Sequence, residues 1–148
     1  MKILILNGPN LNLIGKREPE IYGNQSLDEF FEILKKRFSD CVIDTFQSNH
    51  EGVLIDKLQE AMEKYDGVVF NPGGYAHTSI ALADTVRAIE IPVVEVHISN
   101  IYEREEYRRH SYTAEAAAHS IVGRGMEGYS EAVDFLLNYE KSFSDSSV

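Results

Sequence analysis

Short apolar runs alternate with longer amphipathic stretches along the whole chain. Five runs rich in Val and Ile, at Ile3 to Leu6, Cys41 to Phe46, Gly67 to Phe70, Pro92 to Val96 and His119 to Val122, read as strands. Between them the periodicity is helical. Ser26-Leu27-Asp28-Glu29 has capping-box spacing ahead of Phe30, Phe31, Ile33, Leu34 and Phe38, and Ser48 with Glu51 repeats that signal ahead of Leu54, Ile55, Leu58 and Met62. A third helix is predicted from about Thr78 to Ile89, stopped by Pro92, and a last one from about Ser130 to Tyr139. Strand–helix alternation of this kind predicts an α/β protein whose parallel sheet is covered on both faces. The simplest arrangement is (βα)₅, a flavodoxin-like doubly wound domain with a five-stranded sheet in the order 2-1-3-4-5 and right-handed crossovers. It spans residues 1–141, and the Ser- and Asp-rich segment 142–148 is expected to fray.

The composition narrows the class. A chain of 148 residues that is 43% hydrophobic is the size of one domain and can fill one core. With 14 Lys and Arg against 24 Asp and Glu, its net charge of −10 argues against a nucleic-acid partner, which needs a concentrated basic surface. An anionic small molecule remains compatible, because a few arginines make a positive pocket on an acidic protein. The single cysteine, Cys41, allows neither an intrachain disulfide nor a cysteine-cluster zinc site, which fits a reducing compartment. At the start, the apolar run Ile3 to Leu6 is cut off by Asn7-Gly8-Pro9-Asn10, short of the roughly seven apolar residues a signal peptide needs. No stretch has membrane-spanning length, so a soluble cytoplasmic protein is expected.

In a doubly wound sheet ligands bind beyond the carboxyl ends of the strands, near the switch in strand order. The residues there are Asn7 to Asn10, Gln47 to Asn49, Asn71 to Tyr75, His97 to Asn100 and Gly123 to Gly128, most of them polar. The first crossover, Gly8 to Gln25, far exceeds the usual two to six residues or so. It carries Arg17, Glu18 and Tyr22 among Pro19 and several glycines, a composition suited to a lid. An arginine beside Tyr22 would favour its phenolate and bring it toward use as a base.

Of the five histidines, two stand at strand ends or turns that face this edge. His97 closes the fourth strand in Glu95-Val96-His97, where alternation puts Glu95 on the same side and lets its carboxylate orient the imidazole. His77 follows a glycine-bearing turn that opens a helix, whose free N–H groups suit an anionic or hydroxylated ligand. His50, His110 and His119 read as structural or surface residues. Gly123-Arg124-Gly125-Met126-Glu127-Gly128 matches a dinucleotide fingerprint, but no further strand with an acidic residue follows it, so it reads as a structural tight turn. On these residues alone two other classes share the layout: another small-acid lyase, and a binding module holding FMN or a small anion.

Gly8-Pro9-Asn10-Leu11-Asn12-Leu13-Ile14-Gly15, then Arg17-Glu18-Pro19 and Tyr22-Gly23, resembles the opening of type II 3-dehydroquinate dehydratase. Later blocks agree in order and spacing: Phe46-Gln47-Ser48-Asn49 with Glu51-Gly52, Asn71-Pro72-Gly73 with His77-Thr78-Ser79, Glu95-Val96-His97-Ile98-Ser99-Asn100, and Arg104-Glu105 with Arg108. The resemblance implies anti loss of water from 3-dehydroquinate through an enolate, the third step of the shikimate pathway. It implies Tyr22 as proton acceptor, Arg17 as the lid cation that keeps Tyr22 ionised, His97 as proton donor, and Asn10 as holder of the water at the enolate oxygen. Asn71, His77 and Arg108 would bind ring hydroxyls, Ile98 and Ser99 the carboxylate, and Asp84 would reach a neighbouring subunit's site. The family uses no metal or other cofactor and assembles trimers into dodecamers, so both are expected of this chain. Two positions depart from the family pattern: Ala76 where Thr is common, and Tyr107 where Phe is common.

Overall fold

The structure, a computed structural model, describes residues 1–16, 20 and 24–146, of which 140–146 are described as backbone alone. Five parallel strands, β1 (Lys2–Asn7), β2 (Val42–Gln47), β3 (Gly67–Asn71), β4 (Val93–His97) and β5 (His119–Val122), form one sheet in the order β2-β1-β3-β4-β5. Each strand lies within about one residue of its predicted run. The central β1, β3 and β4 are apolar at nearly every position because both their faces are buried, whereas the edge strands β2 and β5 are partly exposed. Five α-helices among the described residues complete the domain: α1 (Leu27–Arg37), α2 (Glu51–Lys64), α3 (Ile80–Ala88), α4 (Tyr112–Ala116) and α5 (Glu127–Ser146).

Alternation along β1 divides the core. Ile3 and Ile5 join Phe30, Phe31 and Leu34 of α1 and Tyr129, Val133 and Leu136 of α5 on one face. Leu4 and Leu6 join Leu54 and Leu58 of α2 and Leu82 and Val86 of α3 on the other. Removing water from such side chains contributes about 25 cal/mol per Å² of apolar surface, so both helical layers are held chiefly by what they bury against the sheet.

The helix ends show where local signals were sufficient. Ser26 Oγ accepts the Glu29 N–H at 3.2 Å, as the capping box predicts. Ser48 does not cap α2. That helix begins at Glu51 behind His50, while Ser48 Oγ accepts the His50 N–H and its own N–H donates to the Asn7 carbonyl at the end of β1. The third helix starts at Ile80, capped by Ser79 on the Leu82 N–H, and follows a 3₁₀ turn at Gly73–His77. Between β4 and β5 the chain makes 3₁₀ turns at Ile101–Glu103 and Glu106–Arg108 before α4, none of which has a periodic sequence signal. The last helix is longer than its predicted span of about Ser130 to Tyr139; its backbone runs on to Ser146, across the start of the segment expected to fray. No helix among the described residues is long and apolar enough to cross a membrane.

One backbone contact joins the two central loops. The Gly8 N–H donates to the Asn71 carbonyl at 2.7 Å, and a Cβ at Gly8 would sit 2.4 Å from the Pro72 carbonyl oxygen. Only a residue without a side chain lets these loops touch. Gly8→Ala should therefore destabilise the fold by about 1–3 kcal/mol, whereas Gly52→Ala, on an open face of α2, should be neutral or stabilising by up to about 1 kcal/mol. Urea midpoints compare the two, and equal behaviour would show that the loops separate freely.

Candidate active site

The carboxyl ends of β1, β3 and β4 open into one cleft of about 380 Å³. Pro9, Asn10, Asn71, His77, His97, Ile98, Ser99, Arg104 and Arg108 all line it. Seven of the residues expected at the site therefore come together: Asn10, Asn71, His77, His97, Ile98, Ser99 and Arg108. Asp84 does not; it lies on α3, exposed, with its carboxylate 3.7 Å from Arg87. Arg17 and Tyr22 lie outside the described residues.

Each side chain is placed by a local cause. Asn10 takes a left-handed conformation at φ 68°, which asparagine tolerates better than most residues, and its N–H donates to Asn49 Oδ1 at 3.1 Å. Asn71 ends β3 in register with Asn7 of β1, and both are buried. Gly73 turns the chain back at φ 60° and donates its N–H to Asn71 Oδ1 at 3.1 Å.

His97 and Glu95 occupy alternate positions of β4 and share its α2–α3 face, as the strand period requires. The His97 Nε2 atom is 3.0 Å from Glu95 Oε2, near enough to act as a charge pair, though off the line of a hydrogen bond. Glu95 is 1% exposed. A carboxylate so buried needs donors, and Ser111 supplies one, its Oγ lying 2.8 Å from Oε2. Thr113 Oγ1 donates to Oε1. Ser111 meanwhile accepts the Ala114 N–H as the cap of α4, so a short helix with no sequence signal is tied to the buried acid.

The His77 ring stacks on that of His97 with centroids 6.0 Å apart. Its Nδ1 lies 2.8 Å from the His110 carbonyl oxygen, which can only accept, so Nδ1 carries the proton and Nε2 keeps a lone pair. Burial pushes the His77 imidazole below its usual range and the neighbouring His97 and Arg108 push the same way, against the hydrogen bond to His110. Arg108 Nε lies 2.9 Å from Glu105 Oε2, again off the hydrogen-bond line, and the guanidinium sits 5.3 Å from the Tyr107 ring centroid. The aromatic character of Tyr107 is thus in use, beneath the arginine. Ala76 is fully buried and does not line the cleft.

The glycine motif is a turn. Gly123 and Gly125 both have positive φ, and their N–H groups donate to the His97 and Ile98 carbonyls, holding the end of β4 in place. His110 pairs with Glu115 at 3.1 Å and His119 stacks on Phe135, both away from the cleft. Among the described residues no three of His, Cys, Asp and Glu gather as a metal site. Tyr129 was not among the residues singled out from the sequence. Its hydroxyl binds both Asn7 and Asn71, a contact spanning most of the chain that no local pattern announces.

This geometry has relatives. Residues 1–137 match the family Dehydroquinase class II. A protein of Clostridium botulinum strain Hall named 3-dehydroquinate dehydratase is 56% identical over 138 residues, covering 92% of this chain and 94% of that one. Another from Corynebacterium efficiens, 3-dehydroquinate dehydratase 1, is 52% identical over 139 residues, 93% of this chain and 92% of the other. The crystal structure of type II dehydroquinase from Butyrivibrio crossotus superposes with a TM-score of 0.89 at 45% identity, over 92% of this chain and 97% of that one.

The depressed His77 value has a consequence for stability. An unfolded imidazole takes up its proton near pH 6.5, the folded one only at lower pH, so the contribution is whole above about pH 6.5 and is lost as pH falls through the folded value. His77→Asn keeps a donor for the His110 carbonyl but cannot titrate. Its urea midpoint should fall less than the parent's between about pH 8 and pH 5.5; matching losses would show that the imidazole is not held neutral.

Proposed function

The chain belongs to the class II dehydroquinase family, and from that premise we propose that it is a hydro-lyase that converts 3-dehydroquinate to 3-dehydroshikimate in the shikimate pathway. The observation that carries the reading is the meeting of a buried His97–Glu95 pair with Asn71, His77 and Arg108 around one cleft. An elimination needs a base on one carbon and an acid on the departing oxygen. His97 is the acid, giving its proton to the C1 hydroxyl as that group leaves. Glu95 lies behind it, and the Ser111 and Thr113 hydroxyls hold that carboxylate in one orientation.

Tyr22 is the base that removes the C2 proton, with Arg17 favouring its phenolate. Asn10, at the rim of the cleft, holds the water that stabilises the enolate oxygen. The Ile98 and Ser99 backbone and the Ser99 hydroxyl receive the substrate carboxylate. His77, with a lone pair on Nε2, accepts from a ring hydroxyl, while Asn71 and Arg108 donate to others. Asp84, exposed on α3 and clear of this chain's cleft, serves the site of a neighbouring subunit. The same reading includes a cytoplasmic enzyme that needs neither metal nor other cofactor and assembles trimers into dodecamers.

EDTA-treated protein mixed with 3-dehydroquinate should produce the ultraviolet absorbance of the conjugated product, unaffected by borohydride pretreatment. Absence of turnover from folded protein would refute the assignment, and borohydride inactivation would point to a Schiff base instead. Tyr22→Phe should lose nearly all turnover yet still bind substrate, whereas Arg108→Ala should chiefly weaken binding. Near-normal turnover in Tyr22→Phe would remove the proposed base.

A further inference from the structure

Tyr129 is fully buried on the α1–α5 side of the sheet, and nothing in the elimination uses it. Its hydroxyl lies between Asn7 Oδ1 at 2.7 Å and Asn71 Nδ2 at 3.0 Å, and each asparagine is only 3% exposed. The direction of these bonds follows from one backbone group. The Gly73 N–H can only donate, so the Asn71 atom facing it must be the oxygen. The Asn71 NH₂ then faces Tyr129, whose oxygen must accept. Its one proton is left for Asn7 Oδ1. Burial pushes the Tyr129 phenol far above its ordinary range, so that proton stays in place.

A flipped Asn71 amide would set NH₂ against the Gly73 N–H and leave two donors facing each other without water, a costly arrangement. The amide is therefore held in one orientation from both ends. One N–H and one lone pair are already used, and a single N–H remains as the donor Asn71 can offer the cleft it lines.

We infer that Tyr129 is a positioning residue: together with the Gly73 N–H it holds the Asn71 amide in the one orientation that presents an N–H to the cleft, and so selects a ligand oxygen at that point. The inference rests on the reading of Asn71 as a substrate-binding residue. Phe at 129 would leave the Asn71 amide held from the Gly73 end alone, so that its NH₂ could tilt out of line with the cleft, and would orphan Asn7 Oδ1 as well.

The test uses the full-length protein with 3-dehydroquinate. Tyr129→Phe should raise KM about tenfold while kcat changes by less than about threefold. In an Asn71→Ala background, where there is no amide left to orient, the same substitution should add little further change in KM. A merely structural role would lower stability in both backgrounds and leave the KM of the folded fraction unchanged, and that result would overturn the inference. Full additivity of the two KM changes would overturn it too.

Should Tyr129→Phe fold poorly, Asn7→Leu combined with it removes the orphaned acceptor along with its donor and supplies a folded protein for the same measurement. A readout without turnover separates this inference from the functional assignment. The Asn71 side-chain NH₂ protons should exchange slowly with solvent in the parent and markedly faster in Tyr129→Phe; identical exchange in both would refute the positioning role even if the protein turned over no 3-dehydroquinate.

Discussion

Buried polar groups must find partners inside the protein, and the centre of this molecule is arranged around meeting that demand at one point. Asn7 and Asn71 end neighbouring strands in register, on the same face of the sheet. Apolar packing up to Ile5 and Val69 gives way there to amides, and the phenol of Tyr129 closes the network from α5. Above this plug the chain is free to be polar; below it the sheet is sealed by Ile, Val and Phe. The cleft stands on that boundary, and the Gly8 N–H on the Asn71 carbonyl binds the two loops that frame it.

On the opposite face, Glu95 presents the same demand in ionic form. Its two oxygens are met by hydroxyls from Ser111 and Thr113, and the imidazole of His97 lies against it. The segment that brings those hydroxyls is a succession of 3₁₀ turns and one five-residue helix, too short to be stable by propensity alone. Its conformation is explained by the acid it serves and by Arg108, which it carries to the cleft.

What could be read along the chain was whatever depends on near neighbours. The strands and sheet order followed from buried apolar runs alternating with helical stretches, and Ser26 behaved as its spacing to Glu29 required. Ser48 had that spacing too, yet its N–H extends the ladder to the Asn7 carbonyl of another strand and its Oγ accepts the His50 N–H, and the helix begins only at Glu51. His77, His97 and Asn71 were visible because they follow strands at the ligand-binding edge. Ser111, Thr113 and Tyr129 were not, because what they touch is decided by the fold: Tyr129 lies 122 residues from Asn7 and 58 from Asn71.

The single protonation site of His77 gives the cleft a chemical preference. With Nδ1–H committed to the His110 carbonyl, the ring can only accept from whatever sits in the cleft. An alcohol meets that lone pair with its own proton. A ketone or ether oxygen in the same place sets lone pair against lone pair. The histidine thus sorts ligands by whether one oxygen carries a proton, a distinction that neither size nor net charge would make.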